Sequence, residues 1–368
     1  MKIVELETIV TRPPIRHVGY LGVGQLTSVD NVVVRLHTDE GIVGVGEASP
    51  WAVFADNAQS IKATIDHYLA PAIVGMSPFN IESILLTMDA AHYGASFAKA
   101  GVEMAVLDAT GKALGRPIYD LLGGVVRDRV NISYSVANKD IIDDLEEIRW
   151  LLKEGFKVLK IKTGVLQPRA EIERIRAIRE LVGPHFDLRI DFNQGGSRYQ
   201  AMRLCRALEE FSPTFIEQPM KGFDLDGMAE LTRSLDVPIM ADESVLSWEQ
   251  GFQVVKRGAA DILNIKIAKT GGILRAKKVA GLCEAAGTPC YAGAMWESGI
   301  GIAASLHFAC STPAIKYGSD FYTGTHLTVD DLIVNPLHVV DGDIVVPSGP
   351  GLGIEVDWDA VERYRVED

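Results

Sequence analysis

From about residue 129 onward the chain repeats a strand-then-helix beat, and few folds accept that pattern. Short β-branched runs recur at "VNISYSV" (130–136), "VLKIK" (158–162), "DLRIDFN" (187–193) and "TFIEQ" (214–218). They continue at "PIMADE" (238–243), "ILNIKI" (262–267), "PCYAGA" (289–294) and "IKYGSDF" (315–321). Between them lie amphipathic stretches such as "IIDDLEEIRWLLKEG" and "AEIERIRAIRELVG", each closed by a glycine, a common helix stop. Successive βα units give parallel strands, and eight of them predict an α/β fold closed into a TIM-type (β/α) barrel. An open doubly wound sheet is the alternative.

Residues 1–128 do not keep the beat. "NVVVRLHTDEGIVGVGEAS" reads as a hairpin turned at Asp39-Glu40-Gly41, and helical patterns follow it. The tail, "DGDIVVPSGPGLGIEV", again reads as turn and strand. The expectation is an α+β capping domain built from residues 1–128, a barrel over 129–325, and a segment 326–368 that returns to the cap. "GYLGVG" (19–24) lacks the preceding strand and following helix of a dinucleotide fingerprint and reads as a mobile loop at the barrel mouth.

Composition narrows the function. A net charge of −13 argues against nucleic acid as a partner, and no apolar run is long enough to span a bilayer. The N-terminus lacks a signal-peptide layout, and the four cysteines show no paired spacing, so a reduced, cytoplasmic protein is expected. Eight scattered histidines form no metal motif, which leaves oxygen ligands and a hard ion such as Mg²⁺.

Barrel active sites sit at the C-terminal ends of the strands. Those ends carry Lys160 and Lys162, Asp191 and Asn193, Glu217, Asp242 and Glu243, and Lys266. From Asp191 to Glu217, Asp242 and Lys266 the steps are 26, 25 and 24 residues, one βα unit each. Taken singly, each residue reads as a salt bridge at a strand end. Together, three carboxylates converging in a low-dielectric cup would repel one another unless a divalent cation lay among them. Lys162 and Lys266 would then reach opposite faces of a carbon acid whose carboxylate the cation binds. Cationic neighbours are expected to pull the lysine pKa down towards working pH, with Lys160 and the metal both acting on Lys162.

The motifs Lys-x-Lys, Asp-x-Asn, Glu-Gln-Pro, Ala-Asp-Glu-Ser and Lys-x-x-Lys-x-Gly-Gly at these strand ends resemble the muconate-lactonising (mandelate racemase/muconate cycloisomerase-like) subgroup of the enolase superfamily. "GVGEAS", "ALGRPIYDLLGG" and "GPGLGIEVD" extend the resemblance over nearly the whole chain. It implies Asp191, Glu217 and Asp242 as ligands of Mg²⁺, with Mn²⁺ as the alternative ion. It implies Lys162 and Lys266 as the acid/base pair, assisted by Lys160, acting on a small carboxylate in a homo-oligomeric enzyme. Dipeptide epimerases of the subgroup carry Asp-x-Asp at the eighth strand, whereas here Tyr322 follows Asp320 in "SDFYTG". An acidic residue followed by an aromatic resembles muconate cycloisomerases, with Asp in place of Glu. Asn193, Asp320, Tyr322, Tyr20, Trp51 and Glu297 complete the expected substrate-binding set, although Tyr20, Trp51 and Trp296 make a more aromatic pocket than a small dianion needs.

The implied activity is proton transfer beside a metal-bound carboxylate, first as a muconate-type cycloisomerase. A racemase or epimerase of an N-substituted or cyclic amino-acid derivative is the alternative, followed by a dehydratase of a hydroxy acid or acid sugar. From another class, an imine-forming lyase would also use a barrel lysine, but three carboxylates argue against it.

Overall fold

The computed structural model describes residues 1–367 apart from 23, 52, 53, 55, 139, 322 and 323, and the backbone alone of 324 and 325. The cap is built on a three-stranded antiparallel sheet of β1 (Ile3–Thr11), β4 (Asn31–Thr38) and β5 (Val43–Ala48), in the order β1-β4-β5. The β4–β5 turn falls where the sequence places it, with Gly41 at φ +76° supplying the left-handed residue. Helix Ser96–Leu114 lies directly on β5 because Gly44 and Gly46 carry no side chain there. A Cβ at either position would collide with the carbonyl oxygens of Ala105 and Gly101. Residues 19–22 and 24–26 depart from the expected loop. They form a small hairpin, β2 (Gly19–Leu21) and β3 (Gly24–Leu26), because the apolar Leu21 and Leu26 have a core to bury into beside Val29 and Trp296.

After β6 (Arg129–Asn131) come the barrel strands β7 (Tyr134–Val136), β8 (Val158–Lys162), β9 (Asp187–Asp191) and β10 (Ile216–Glu217). Then follow β11 (Ile239–Ala241), β12 (Ile262–Ile265), β13 (Cys290–Ala292) and β14 (Ile315–Ser319). Neighbours in the sheet are neighbours in the chain, all parallel, and an Ile132–Ser319 bridge joins the last strand to the first. One detail corrects the sequence reading. The run 130–136 divides, since β6 pairs antiparallel with the tail strand β15 (Asp343–Val345) and only Tyr134–Val136 forms the first barrel strand. The eighth strand is followed by the four-residue helix Gly324–Leu327, and the chain then leaves for the tail. The tail reaches β1 again through Val366 N–H to Val10 O at 2.9 Å.

Each barrel strand sends alternate side chains in and out. Leu159, Ile161, Leu188 and Ile190 point outward into one continuous apolar layer with the surrounding helices. The floor of the interior is filled by Phe215, Met240, Ile262 and Tyr291. Arg189 joins that floor, held by Asp187 at 2.8 Å with its guanidinium over the Phe215 and Tyr291 rings.

Two buried carboxylates of the cap dock it to the barrel. Glu47 on β5 accepts from the Ser298 N–H at 2.9 Å, the Ser298 hydroxyl at 2.7 Å and the Gly301 N–H at 2.8 Å, at the start of helix Gly299–Cys310. Glu103 accepts from the first two amides of helix Ile273–Ala286. Free helix N-termini favour such anions, yet burial outweighs the amide donors and pushes both carboxyls up to about 7. A carboxyl whose folded-state pKa exceeds its unfolded one favours the folded state at low pH, and that contribution fades as pH rises through the folded value. Thermal unfolding midpoints are therefore expected to fall between about pH 5 and about pH 8, and Glu47→Gln should flatten that decline. Calorimetry across the range checks it, and an unchanged slope in the variant would count against the assignment.

Candidate active site

Strand β8 ends in two lysines because both face the barrel interior, where carboxylates await them. Lys160 and Lys162 are buried, and their neighbours Leu159 and Ile161 face the helices. Lys160 Nζ contacts Asp320 Oδ2 and lies 3.1 Å from Glu217 Oε2 and 3.6 Å from Asp191 Oδ2, above the Tyr291 ring. Lys162 Nζ donates to Asp191 Oδ2 at 2.6 Å. Across the cup, Lys266 Nζ donates to Asp242 Oδ2 at 2.7 Å, and Lys269 holds Asp242 Oδ1 at 2.5 Å and its carbonyl at 2.6 Å.

The three carboxylates come from successive strands, as the spacing predicts. Asp191 and Glu217 are register partners on β9 and β10, and Asp242 follows the last residue of β11. Their turns are conformationally demanding: Asn193 and Gln218 have φ of +42° and +35°. Each is stabilised by its own side chain or that of a neighbour. The Asn193 N–H donates to Asp191 Oδ1 at 2.9 Å, and Gln218 Oε1 accepts from the Asp242 N–H at 2.9 Å. Asn193 Nδ2 reaches Glu243 Oε1 at 3.3 Å, and Asn264 Nδ2 holds Glu217 Oε1 at 2.6 Å.

The charged groups of the cup divide electrostatically. Burial lowers Lys266, but Asp242 outweighs it and holds the ammonium above its ordinary range; Asp320 and Glu217 do the same for Lys160. Burial raises Asp191 and Asp242, yet their lysine partners win and both stand below the usual carboxylate range. Lys160 and Lys266 are held up because each ammonium meets a carboxylate before it meets another cation, whereas burial outweighs Asp242 at Lys269 and lowers it. Glu217 and Glu243 move the other way, to about 7 and about 8, pushed by burial and then by their acidic neighbours.

These residues suit a hard divalent cation. Three oxygen donors stand on adjacent strands, like-charge crowding persists after every lysine has paired, and the buried Glu243 Oε2 has no partner among the described residues. Their oxygens close on the ammonium groups instead of on one another. Among the described residues, the only three ligand atoms lying within 4.8 Å of one another belong to Glu5, Glu7 and His37 on the cap.

The remaining expected contacts divide. Asp320 lies in the cup, held by Lys160 and by the Ala294 N–H at 3.0 Å. Glu297 is buried with Oε2 on the Met295 N–H at 2.7 Å, its Oε1 without a partner among the described residues, and burial pushes it up to about 8. Trp51 is half-buried with its ring edge-on to Trp296 at 5.8 Å, and Tyr20 is half-buried on β2 with its N–H on Ala137 O at 2.8 Å. Tyr322 lies outside the described residues.

Three further side chains belong to this site. Lys269 was present in the Lys-x-x-Lys spacing, and Asn264 stands two before Lys266 on the same inward face of β12, so both signals were in the sequence. Phe54, whose ring lies 5.5 Å from Lys266 Nζ, comes from the cap and no spacing announces it.

Residues 143–360 match the family described as Enolase C-terminal domain-like, and residues 4–123 match the Mandelate racemase / muconate lactonizing enzyme, N-terminal domain. The chain is 34% identical over 356 residues to muconate cycloisomerase 1 of Pseudomonas putida, covering 96% of this chain and 95% of that one. It is 37% identical over 358 residues to the L-Ala-D/L-Glu epimerase of Bacillus subtilis, covering 96% and 97%. The crystal structure of N-succinyl Arg/Lys racemase from Bacillus cereus matches with a TM-score of 0.95 at 33% identity, covering 100% of this chain and 99% of that one.

The hairpin closes over this cup at Gly22. A Cβ there would collide with the carbonyl oxygen of Phe192 and crowd Gly195 and Thr163, at the ends of β8 and β9. Gly22→Ala is therefore expected to raise KM and lower kcat together, by roughly tenfold in kcat/KM, with the melting temperature shifted by less than about 3 °C. Steady-state kinetics beside a thermal melt check it, and unaltered kinetics would remove the hairpin from the site.

Proposed function

The chain belongs to the enolase superfamily, in its mandelate racemase/muconate lactonizing branch, and from that membership we propose an isomerase that moves a proton at the carbon beside a substrate carboxylate. The observation that carries this reading is the placement of Lys162 at the end of β8 and Lys266 just after β12, flanking the three strands at whose ends Asp191, Glu217 and Asp242 stand. A carbon acid lying between those lysines presents one face to each.

Asp191, Glu217 and Asp242 would hold the divalent ion, taken as Mg²⁺ with Mn²⁺ as the alternative, and Asn264 keeps Glu217 oriented. When bound, the ion supplies positive charge that stabilises the anion left as the α-proton departs. Lysine must give up its own proton before it can take one from carbon. Burial already disfavours the Lys266 ammonium and the charge of Asp242 sustains it, so any engagement of Asp242 elsewhere lowers the Lys266 pKa. The C–H electron pair passes into the carboxylate as the proton reaches Nζ. In the lactone-forming direction the ammonium form returns a proton to carbon. Lys160, paired with Asp320 and Glu217, would meet the substrate carboxylate.

Cycloisomerisation of an unsaturated diacid such as cis,cis-muconate is the first reading. Racemisation or epimerisation of an N-substituted amino acid is the second, and one feature favours it: Lys162 and Lys266 have equivalent carboxylate partners at 2.6 and 2.7 Å, so both faces are equally equipped. The four cysteines are buried and unpaired among the described residues, which fits the proposed cytoplasmic setting, and no helix among those residues is long and apolar enough to cross a membrane.

Loss of one ligand tests the metal. Asp242→Asn is expected to lower kcat by at least about 10³-fold and to weaken Mg²⁺ binding measured by calorimetry, because a donor and its charge disappear together. Full activity of the parent chain in excess chelator would refute a metal role. Solvent deuterium separates the two reactions. A cycloisomerase is expected to place deuterium in muconolactone with a single configuration, dependent on one lysine as proton carrier. If instead Lys162→Ala exchanges one enantiomer of N-succinyl-arginine and Lys266→Ala the other, the racemase reading stands and the cycloisomerase reading falls.

A further inference from the structure

Lys266 opens the four-residue helix Ile267–Thr270, Lys269 lies inside it, and the chain then passes Gly271 and Gly272 into helix Ile273–Ala286. This short stretch carries two buried ammonium groups onto the two oxygens of one carboxylate, Asp242. Long flexible stems do not by themselves fix such an arrangement. The stretch is held from its far side by the other domain.

Glu103, on the cap helix Ser96–Leu114, is 1% exposed and accepts hydrogen bonds from the Ile273 and Leu274 amides, the latter at 3.0 Å. The approach needs glycine at 272, whose φ is +125° and where a Cβ would collide with Glu103 Oε2. The Gly272 N–H in turn donates to Ile267 O at 2.9 Å, beside Lys266, so the anchor is one hydrogen bond from the lysine's own backbone neighbour. One turn earlier on the cap helix, buried Lys99 holds Asp89 at 2.8 Å, and Asp89 also takes Arg275 at 2.6 Å. The cap thus grips residues 272–275 through a direct carboxylate and through a bridged ion pair.

We propose that Glu103 is a positioning residue for Lys266, fixing from the cap where that ammonium stands against Asp242 and against the substrate's α-carbon. The proposal rests on the reading of Lys266 as an acid/base group. Proton transfer demands hydrogen-bond reach at the moment of reaction, so a small displacement of the stretch is felt in the rate before it is felt in binding.

The test uses Glu103→Ala and Glu103→Gln in the full chain. Without substrate, acetic anhydride labelling read by mass spectrometry gives the reactivity of Lys266 relative to Lys162 in the same molecule. That ratio is expected to rise about fivefold or more in Glu103→Ala and to return to within about twofold in Glu103→Gln, which keeps one acceptor oxygen. With N-succinyl-arginine in D₂O, α-proton exchange of the enantiomer whose exchange Lys266→Ala abolishes is expected to slow about tenfold in Glu103→Ala, with KM and exchange of the other enantiomer within about twofold. An unchanged labelling ratio, or both lysines loosening together, overturns the proposal. Lys266→Ala that still exchanges both enantiomers overturns the acid/base reading instead. If neither enantiomer exchanges in the parent chain, the labelling ratio decides alone. Should Glu103→Ala fail to fold, Glu103→Asp, which keeps the charge and shortens the reach, replaces it.

Discussion

Lys160, Lys162, Lys266 and Lys269 are buried in one cup with Asp191, Glu217, Asp242, Glu243 and Asp320, and the rest of the molecule depends on their mutual pairing. A charge taken out of water is costly unless an opposite charge and further hydrogen bonds meet it, and removing one partner leaves the other stranded. That cost dictates the surroundings. Asn264 and Asn193 are spent on carboxylate oxygens, Gln218 on the Asp242 backbone, and Tyr291 and Phe215 close the floor so that the pairs are not hydrated from below. With all four lysines paired, acid still exceeds base by one group, and the excess is seen in Glu217 and Glu243 at about 7 and about 8.

The two domains divide the work. The barrel supplies groups whose positions follow from strand register, which fixes them to within the geometry of a hydrogen-bonded sheet. The cap supplies contacts that register cannot provide: Gly22 against the ends of β8 and β9, Phe54 over Lys266, Trp51 on Trp296. It also supplies the two carboxylates that seize helix N-termini, Glu47 and Glu103. Burying those acids at a domain junction is electrostatically expensive, and the return is a junction whose donors and acceptors match at named atoms.

The likeness to a cycloisomerase, an epimerase and a racemase at 34%, 37% and 33% identity has a physical basis. All the reactions these names denote can be written as handling of a proton beside a carboxylate, and a cup of lysines and carboxylates serves each. What happens next depends on the walls, where aromatic rings and loop backbone meet the remainder of the substrate. One fold can therefore carry several of these reactions, and function has to be argued from the site.

The barrel and its charged ends were legible in the sequence because both obey short periods. Strand alternation puts Lys160 and Lys162 on one face, and the βα repeat puts Asp191, Glu217 and Asp242 one unit apart. Of the cap contacts, Phe54 was not legible, since it reaches the site from another domain with no spacing to link it to the barrel, and Trp51 and Gly22 were singled out without the partners they meet. Nor was the state of Lys266, which Asp242 holds above its ordinary range in the fold. The division of 130–136 between the barrel and β15 likewise waited on a strand from the far end of the chain. Local order settles what faces inward. Only the packing of distant segments settles which opposite charge each inward group meets, because Coulomb energy depends on separations of a few ångströms that no sequence spacing specifies.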